Sequence, residues 1–93
     1  MLNHHVVVLV PQVGGWRAHV PDFPGCRAEA MELEAAIGRA RRNVGGAADD
    51  LRRHGQVLPV ARTYKQVQAD SDWARQRGIH IPSAVISWIK LGD

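Results

Sequence analysis

The chain must turn at Val20-Pro21-Asp22-Phe23-Pro24-Gly25-Cys26, because this stretch holds two prolines and a glycine. Proline fixes φ, lacks an N–H and disfavours a helical conformation in the residue before it, whereas glycine adopts positive φ without steric cost. The Asp22 carboxylate is expected to accept hydrogen bonds from N–H groups one or two residues further on, and Phe23 to close one end of a small core. We therefore predict a structural turn motif formed by Pro21, Asp22, Phe23, Pro24, Gly25 and Cys26.

Extended segments precede this turn. His4 to Val10 is apolar at nearly every position, which is typical of a central strand buried on both faces. The neighbouring His4 and His5 side chains would point to opposite faces of the strand, so they cannot chelate one ion, and we expect both to be solvated. Gln12 to Gly15 then predicts a hairpin turn.

The second and third strands flank the proline-rich turn. Trp16 to Val20 alternates between apolar and polar residues, which predicts an antiparallel strand with Arg17 and His19 on one face. Cys26 to Glu29 is long enough for a short third strand with Cys26 and Ala28 on the same face.

A long amphipathic helix follows from about Met31 to His54. Glutamates cluster at its start and basic residues at its end, which matches the helix dipole, and Gly55 lies where a left-handed C-cap is expected. Its apolar residues recur at spacings of three and four and so line one face: Leu33, Ile37, Ala40, Val44, Ala47 and Leu51.

The last third of the chain is less regular. After a connector from Gly55 to Arg62, the segment from Thr63 to Arg77 predicts a second helix, capped by Thr63, whose weak apolar stripe should cover little of the sheet. Ser83 to Leu91 predicts a final strand that is apolar on both faces and therefore central or covered. A right-handed crossover would make this strand parallel to one of the first three.

The composition limits the classes of function. The 93 residues are 45% hydrophobic and 23% charged, as in an ordinary globular domain, so we expect a single domain over residues 1–93 with no separate C-terminal DNA-binding domain. The single cysteine, the lack of a long apolar run and the lack of a signal peptide indicate a cytoplasmic protein without a membrane partner.

Catalytic and nucleic-acid functions have little support in the sequence. The carboxylates near strand ends are few, namely Asp22 and Glu29, and Glu32 and Glu34 lie on the outer start of the helix. We therefore expect no two-metal nuclease site, and no cofactor or metal site is predicted. The net charge of +3 permits an acidic partner, but nucleic acid is an unlikely ligand because there is no concentrated basic block. A possible nucleic-acid contact is confined to the C-terminal segment, at Arg62, Lys65, Arg75 and Arg77.

The order of elements, β-β-β-α-(α)-β, is that of an α+β fold with one crossover. Residues Val6 to Val60 resemble the N-terminal domain of the HicB family of bacterial antitoxins, through the Gly-Gly hairpin, the Pro-Asp-Phe-Pro-Gly-Cys string and the exit at Gly55 to Pro59. The resemblance implies a partial RNase H-like sheet with one long helix packed on one face. The family usually places Gly-Asp-Ser/Thr before the helix, where this chain has Ala30-Met31-Glu32.

The resemblance also implies a function. A HicB-like chain would be an antitoxin, a non-catalytic binding module that pairs with a small HicA-like RNA-cleaving toxin and neutralises it. The alternative that remains open is a stand-alone HicB-like domain without a toxin.

Self-association is expected from the apolar faces of the sheet. One long helix covers one face only, so the final strand needs a second cover, and we predict a homodimer or higher homo-oligomer. The predicted interface residues are Val85, Ile86, Trp88, Ile89 and Leu91, with Ala84 on the same face as Ile86 and Trp88.

Overall fold

A computed structural model describes residues 4–91 of the chain, so the predicted domain limits of 1 and 93 lie outside the described residues. Four strands form one sheet in the order β3-β2-β1-β4, and every neighbouring pair is antiparallel. No helix of the described residues is long and apolar enough to cross a membrane. The elements are β1 (His4–Gln12), β2 (Gly15–His19), β3 (Arg27–Ala30), α1 (Leu33–Arg53), α2 (Tyr64–Ala69), α3 (Ser71–Gln76), a 3-10 turn (Ile81–Ser83) and β4 (Val85–Lys90).

β1 is central because apolar side chains project from both of its faces. Val7 and Leu9 face α1, while Val6 and Val8 face the opposite side, and all four are fully buried. The predicted α+β class, with a long helix on one face of the sheet, is confirmed.

β4 lies at the edge of the sheet, with Ile89 and Ile86 packed on its two faces, so of the two predicted alternatives the covered strand is correct and the central strand is not. It pairs with β1 in antiparallel orientation, with Val6 opposite Trp88 and His5 opposite Ile89. β4 consequently runs parallel to β2, but β1 separates the two strands. β3 lies at the opposite edge of the described sheet, and β4 pairs with the side of β1 that faces away from β2.

The first core lies between the sheet and α1. The predicted stripe of α1 faces this core: Ile37, Ala40 and Val44 are buried there, together with Ala36 and Ala48. Glu32 caps the helix without a side-chain hydrogen bond, as expected where the hydroxyl cap of the family pattern is missing. α1 packs chiefly against β2 and β3, so the sheet is covered unevenly on this side.

The second core lies on the opposite face, under α2 and α3, and corrects the prediction that this segment covers little. Val67 is fully buried, and Trp73 and Ala74 are 7% and 8% exposed, against Val6 and Val8 of β1. Periodicity missed this cover because the helix breaks at Asp70, where φ is −85° and ψ is 76°. The Asp70 side chain then accepts a hydrogen bond from the Trp73 N–H and starts a new helix with a different phase.

The hairpin between β1 and β2 depends on the glycine at position 15. A Cβ added to Gly15 would lie 2.3 Å from the backbone oxygen of Ala30, because β3 passes directly beside it. We expect Gly15→Ala to lower the free energy of unfolding by about 1 to 3 kcal/mol, the usual cost of overpacking. Urea unfolding tests this, with Gly38→Ala in α1 as the control.

The control distinguishes a local clash from a general effect of alanine. A Cβ at Gly38 meets no atom within 4 Å, so alanine there should raise stability by up to about 1 kcal/mol through helix propensity. Equal effects of the two substitutions would contradict the close approach at Gly15.

Candidate functional site

The proline-rich turn is closed by backbone hydrogen bonds. The Phe23 N–H donates to Val20 O and the Cys26 N–H to Phe23 O, both at 3.0 Å. Gly25 has a φ of 94°, the positive value expected from the sequence. Phe23 is 4% exposed within the first core, as expected for a residue that closes one end of it.

The Asp22 carboxylate binds residues that are distant in the chain, and not the N–H groups one or two residues further on that the sequence predicted. Its two oxygens accept hydrogen bonds from the Arg62 N–H at 3.1 Å, from Arg62 Nε at 2.7 Å and from His5 Nδ1 at 2.7 Å. The Asp22 and His5 side chains are 1% and 2% exposed, so the prediction of a solvated His5 is wrong. His5 also meets the Phe23 ring edge-on, with centroids 5.1 Å apart.

Arg62 extends this network to the cover of the second core. Its Nη1 donates to Asp70 Oδ2 at 3.1 Å, and Asp70 is the residue at which α2 ends and α3 begins. Hydrogen bonds to Asp22, and then to Asp70, raise the pKa of Arg62. Hydrogen bonds from the Trp73 N–H and from Arg62 lower the pKa of Asp70. We call His5, Asp22, Arg62 and Asp70 the polar clamp, since they join β1, the turn and the α2–α3 cover.

Sequence reasoning missed the polar clamp because its members are distant in the chain. Arg62 is 40 residues from Asp22, and Asp22 is 17 residues from His5. No periodicity or short motif joins such positions. The available signal was the placement of His5 inside a strand that is otherwise apolar, since a buried imidazole requires a hydrogen-bond partner.

A recess lies between the turn and the C-terminal end of α1. Its volume is about 300 Å³, and most of its lining is apolar, including Phe23, Pro24, Leu51 and Pro59. Burial raises the pKa of the Cys26 thiol beside it, which favours the neutral, unreactive form.

The surface next to the recess is also apolar. Val57 and Val60, each within two residues of the lining residue Pro59, are 90% and 78% exposed. Val57 and Val60 are therefore exposed apolar residues that lie close in sequence to the recess.

The four residues predicted as a nucleic-acid contact have separate roles. Arg62 belongs to the polar clamp, Arg75 pairs with Asp72, and Lys65 is exposed on α2. Arg77 lies over the Trp73 ring, with its guanidinium carbon 5.5 Å from the ring centroid. Two of the four are engaged in ion pairs, and the nucleic-acid contact stays a prediction.

The carboxylates considered for a nuclease site are also dispersed. Asp22 is buried in the polar clamp, and Glu29 pairs with Arg17 at 2.6 Å. Glu32 and Glu34 are exposed at the start of α1. Among residues 4–91, no group of three or more histidines, cysteines and carboxylates is placed to hold a metal ion.

The predicted interface residues of β4 divide between the two cores and the surface. Ile89 is 1% exposed under α1, and Leu91 packs on the same core, whereas Ile86 packs on the second core. Val85 and Trp88 are the exposed members, at 38% and 50%. A buried Ile89 cannot contribute to an interface without local unfolding, so this part of the prediction does not fit the structure.

His19 lies under the cover, at the end of β2. It is 5% exposed and meets the Trp73 ring edge-on, with centroids 6.1 Å apart. Its Nδ1 is buried and has no hydrogen-bond partner among the described residues. Burial, followed by the charges of Arg17, Arg27 and Arg77, lowers the pKa of His19 from 6.5 to about 4.

This shift predicts a pH dependence of stability. The folded pKa lies below the unfolded one, so the unfolded chain binds more protons as the pH falls from 6.5 towards 4. Stability should be complete above pH 6.5 and fall by about 1 to 3 kcal/mol across that range. Urea unfolding at several pH values, compared between the wild type and His19→Leu, should show a flatter profile for the variant.

The matched control is the exposed His54. His54→Leu should leave the pH profile as steep as that of the wild type, because its side chain lies at the surface of α1. A profile that is unchanged by His19→Leu would contradict the assignment to His19.

Solved structures with the same arrangement of elements exist. The N-terminal domain of the antitoxin HicB from Burkholderia pseudomallei has a TM-score of 0.72 at 18% identity, over 97% of this chain and 99% of that chain. A chain of the HicA3 and HicB3 toxin-antitoxin complex has a TM-score of 0.67 at 14% identity, with the same coverage. The longer B. pseudomallei antitoxin HicB has a TM-score of 0.71 at 20% identity, over 98% of this chain and 63% of that chain.

These similarities concern the fold. No family model matches the sequence, and no curated protein matches it significantly. The HicB-like fold predicted from the sequence is confirmed, and the similarity extends over the segment from Arg62 to Pro82 that the sequence resemblance left unmatched.

Proposed function

We propose that this chain is a HicB-like antitoxin that binds and neutralises a small HicA-like RNA-cleaving toxin in the cytoplasm. The observation that supports this most directly is the similarity over 97% of the chain to a chain of the HicA3 and HicB3 toxin-antitoxin complex. The role is one of binding and not of catalysis. Asp22 is engaged in the polar clamp and Glu29 in an ion pair with Arg17, which suits a scaffold better than a reaction centre.

The apolar surface beside the recess is the part of the chain that we propose contacts the toxin. Exposed valines next to an apolar recess suit the centre of a protein interface, where apolar side chains are removed from water. Val57 and Val60 are exposed, so substituting them should leave the fold intact.

Co-expression with any small HicA-like protein found encoded beside this gene tests both statements. The wild type should copurify with that protein, and Val57→Asp combined with Val60→Asp should reduce copurification at least tenfold. Val13→Asp is the control, because Val13 is fully exposed at the β1–β2 turn, away from the recess. Failure of the wild type to copurify would contradict the antitoxin function, whereas equal binding by all variants would contradict only the contact surface.

Homo-oligomerisation remains part of the proposal, with a revised interface. The apolar faces of β4 are largely covered within the chain, but β4 is an edge strand with Val85 and Trp88 exposed. An edge strand offers unpaired backbone groups to a second copy. We therefore propose pairing along β4 and not through the buried Ile89.

Sedimentation at micromolar concentration tests this interface. We expect a species larger than 10.3 kDa for the wild type and a shift to monomer for Val85→Lys combined with Trp88→Lys. Unchanged sedimentation of this variant would exclude the β4 edge. Ile89→Asp should instead unfold the chain, because it places a charge in the first core.

A further inference from the structure

The connector between α1 and α2, residues 55–62, carries the two valines proposed to contact the toxin. It contains no helix and no strand, and Val57 and Val60 are largely exposed. Leu58 between them packs on the first core, and Pro59 lines the recess. The connector therefore turns some side chains towards the protein and presents the two valines to solvent.

Backbone hydrogen bonds hold the connector near its two ends. At the first end, the Gln56 N–H donates to Leu51 O at 2.8 Å. At the second end, the Arg62 N–H donates to Asp22 Oδ2 at 3.1 Å. Between these bonds, no hydrogen bond joins the backbone of residues 57–61 to another described residue. The conformation of this stretch therefore depends strongly on how firmly its ends are held.

Arg62 holds the second end through its side chain as well as its backbone. Its Nε donates to Asp22 Oδ1 at 2.7 Å, and its Nη1 donates to Asp70 Oδ2 at 3.1 Å. Asp22 is 1% exposed and is bound in turn by His5, so it is a buried acceptor with a fixed position. A planar guanidinium that joins two carboxylates has a defined position relative to both. Arg62 therefore fixes the point at which the connector ends.

We propose that Arg62 is a positioning residue for toxin binding, which holds Val57 and Val60 in the conformation that binds. This inference rests on the proposed function and on the toxin contact proposed for the two valines. A surface that is ordered before binding loses less conformational entropy on association, so its affinity is higher. If the binding conformation were populated about a tenth of the time, the apparent Kd would rise about tenfold.

NMR relaxation of the backbone nitrogens in the isotopically labelled, free protein tests the positioning without a toxin. In the wild type, we expect order parameters of about 0.85 at Val57 and Val60, as in a rigid backbone. In Arg62→Gln, both should fall below about 0.6, the range of a flexible segment. The order parameters of α1 should not change, which separates a local release from a general loss of structure.

Arg62→Lys is the second variant, and Arg52→Gln is the matched control. A lysine keeps the positive charge but cannot join Asp22 and Asp70 in a fixed geometry, so the order of the two valines should be intermediate. Arg52 pairs with Asp49 on α1, where both side chains are at least half exposed. Its substitution should leave the order of the connector unchanged. Order parameters that stay high in both Arg62 variants would overturn the proposal.

Calorimetric titration with a small HicA-like protein found encoded beside the gene separates positioning from direct contact. Arg62→Gln should bind about tenfold more weakly, and Arg52→Gln as tightly as the wild type. A loss of affinity without a loss of order at Val57 and Val60 would show that Arg62 touches the toxin itself, and would overturn the positioning role. A loss of order without a loss of affinity would overturn it as well.

The two kinds of measurement also separate this proposal from the proposed function. Failure of the wild type to bind would contradict the antitoxin function. The order parameters of the free protein would still decide whether Arg62 fixes the connector.

Discussion

Asp22→Asn should lower the free energy of unfolding by about 1 to 3 kcal/mol, since it leaves a buried hydrogen-bond donor without an acceptor at the centre of the polar clamp. Asp22 accepts three hydrogen bonds at the centre of the polar clamp, and its side chain is 1% exposed. The amide keeps the shape of the carboxylate but loses its charge, and its NH₂ group cannot accept a hydrogen bond from Arg62 or His5. Urea unfolding at pH 7 measures the loss.

Asp72→Asn is the control for that experiment. Asp72 pairs with Arg75, but both side chains are 74% exposed, and an exposed pair contributes about 0 to 1 kcal/mol. If Asp22→Asn were as mild as Asp72→Asn, the polar clamp would not hold the cover on the sheet.

Trp73→Ala should destabilise the protein by about 3 to 5 kcal/mol, the usual cost of removing a large aromatic side chain from a core. Trp73 is 7% exposed in the second core and also covers His19. Its loss should expose the apolar second face of β1, which an increase in binding of a hydrophobic dye would report.

Trp88→Ala is the matched control for Trp73→Ala. The Trp88 side chain is 50% exposed on the edge strand β4, so its removal should cost much less stability in unfolding measured at a concentration where the chain is monomeric. Equal destabilisation by the two substitutions would contradict the assignment of α2 and α3 as the cover of the second core.

The sequence predicted those elements whose signals are local. The stripe from Leu33 to Leu51 is regular along most of the 21-residue helix α1, and such a regular spacing of three and four residues indicates a helix alone. The continuous apolar run in β1 likewise indicates burial on both faces, and the capping role of Thr63 is confirmed by a capping box with Gln66.

Features that depend on how distant parts of the chain pack together were harder to predict from the sequence. The apolar pattern of β4 indicated that both of its faces are covered, but an edge strand and a central strand can share that pattern, so the sequence left its position in the sheet open. The break at Asp70 shifts the helical phase between Val67 and Trp73. The apolar residues of α2 and α3 therefore do not follow one helical period in the sequence, although they pack together in the second core. His5 was expected in solvent because Asp22 and Arg62, its network partners, are remote in sequence.

The central claim is that this chain neutralises a small RNA-cleaving partner, and inhibition of RNA cleavage tests it most directly. The purified small protein encoded beside the gene would be incubated with labelled RNA while the intact chain is titrated into the reaction. We expect that cleavage stops near an equimolar ratio, and that the Val57→Asp and Val60→Asp double variant fails to stop it at that ratio. Cleavage that continues in a large excess of the folded wild-type chain would contradict the antitoxin function.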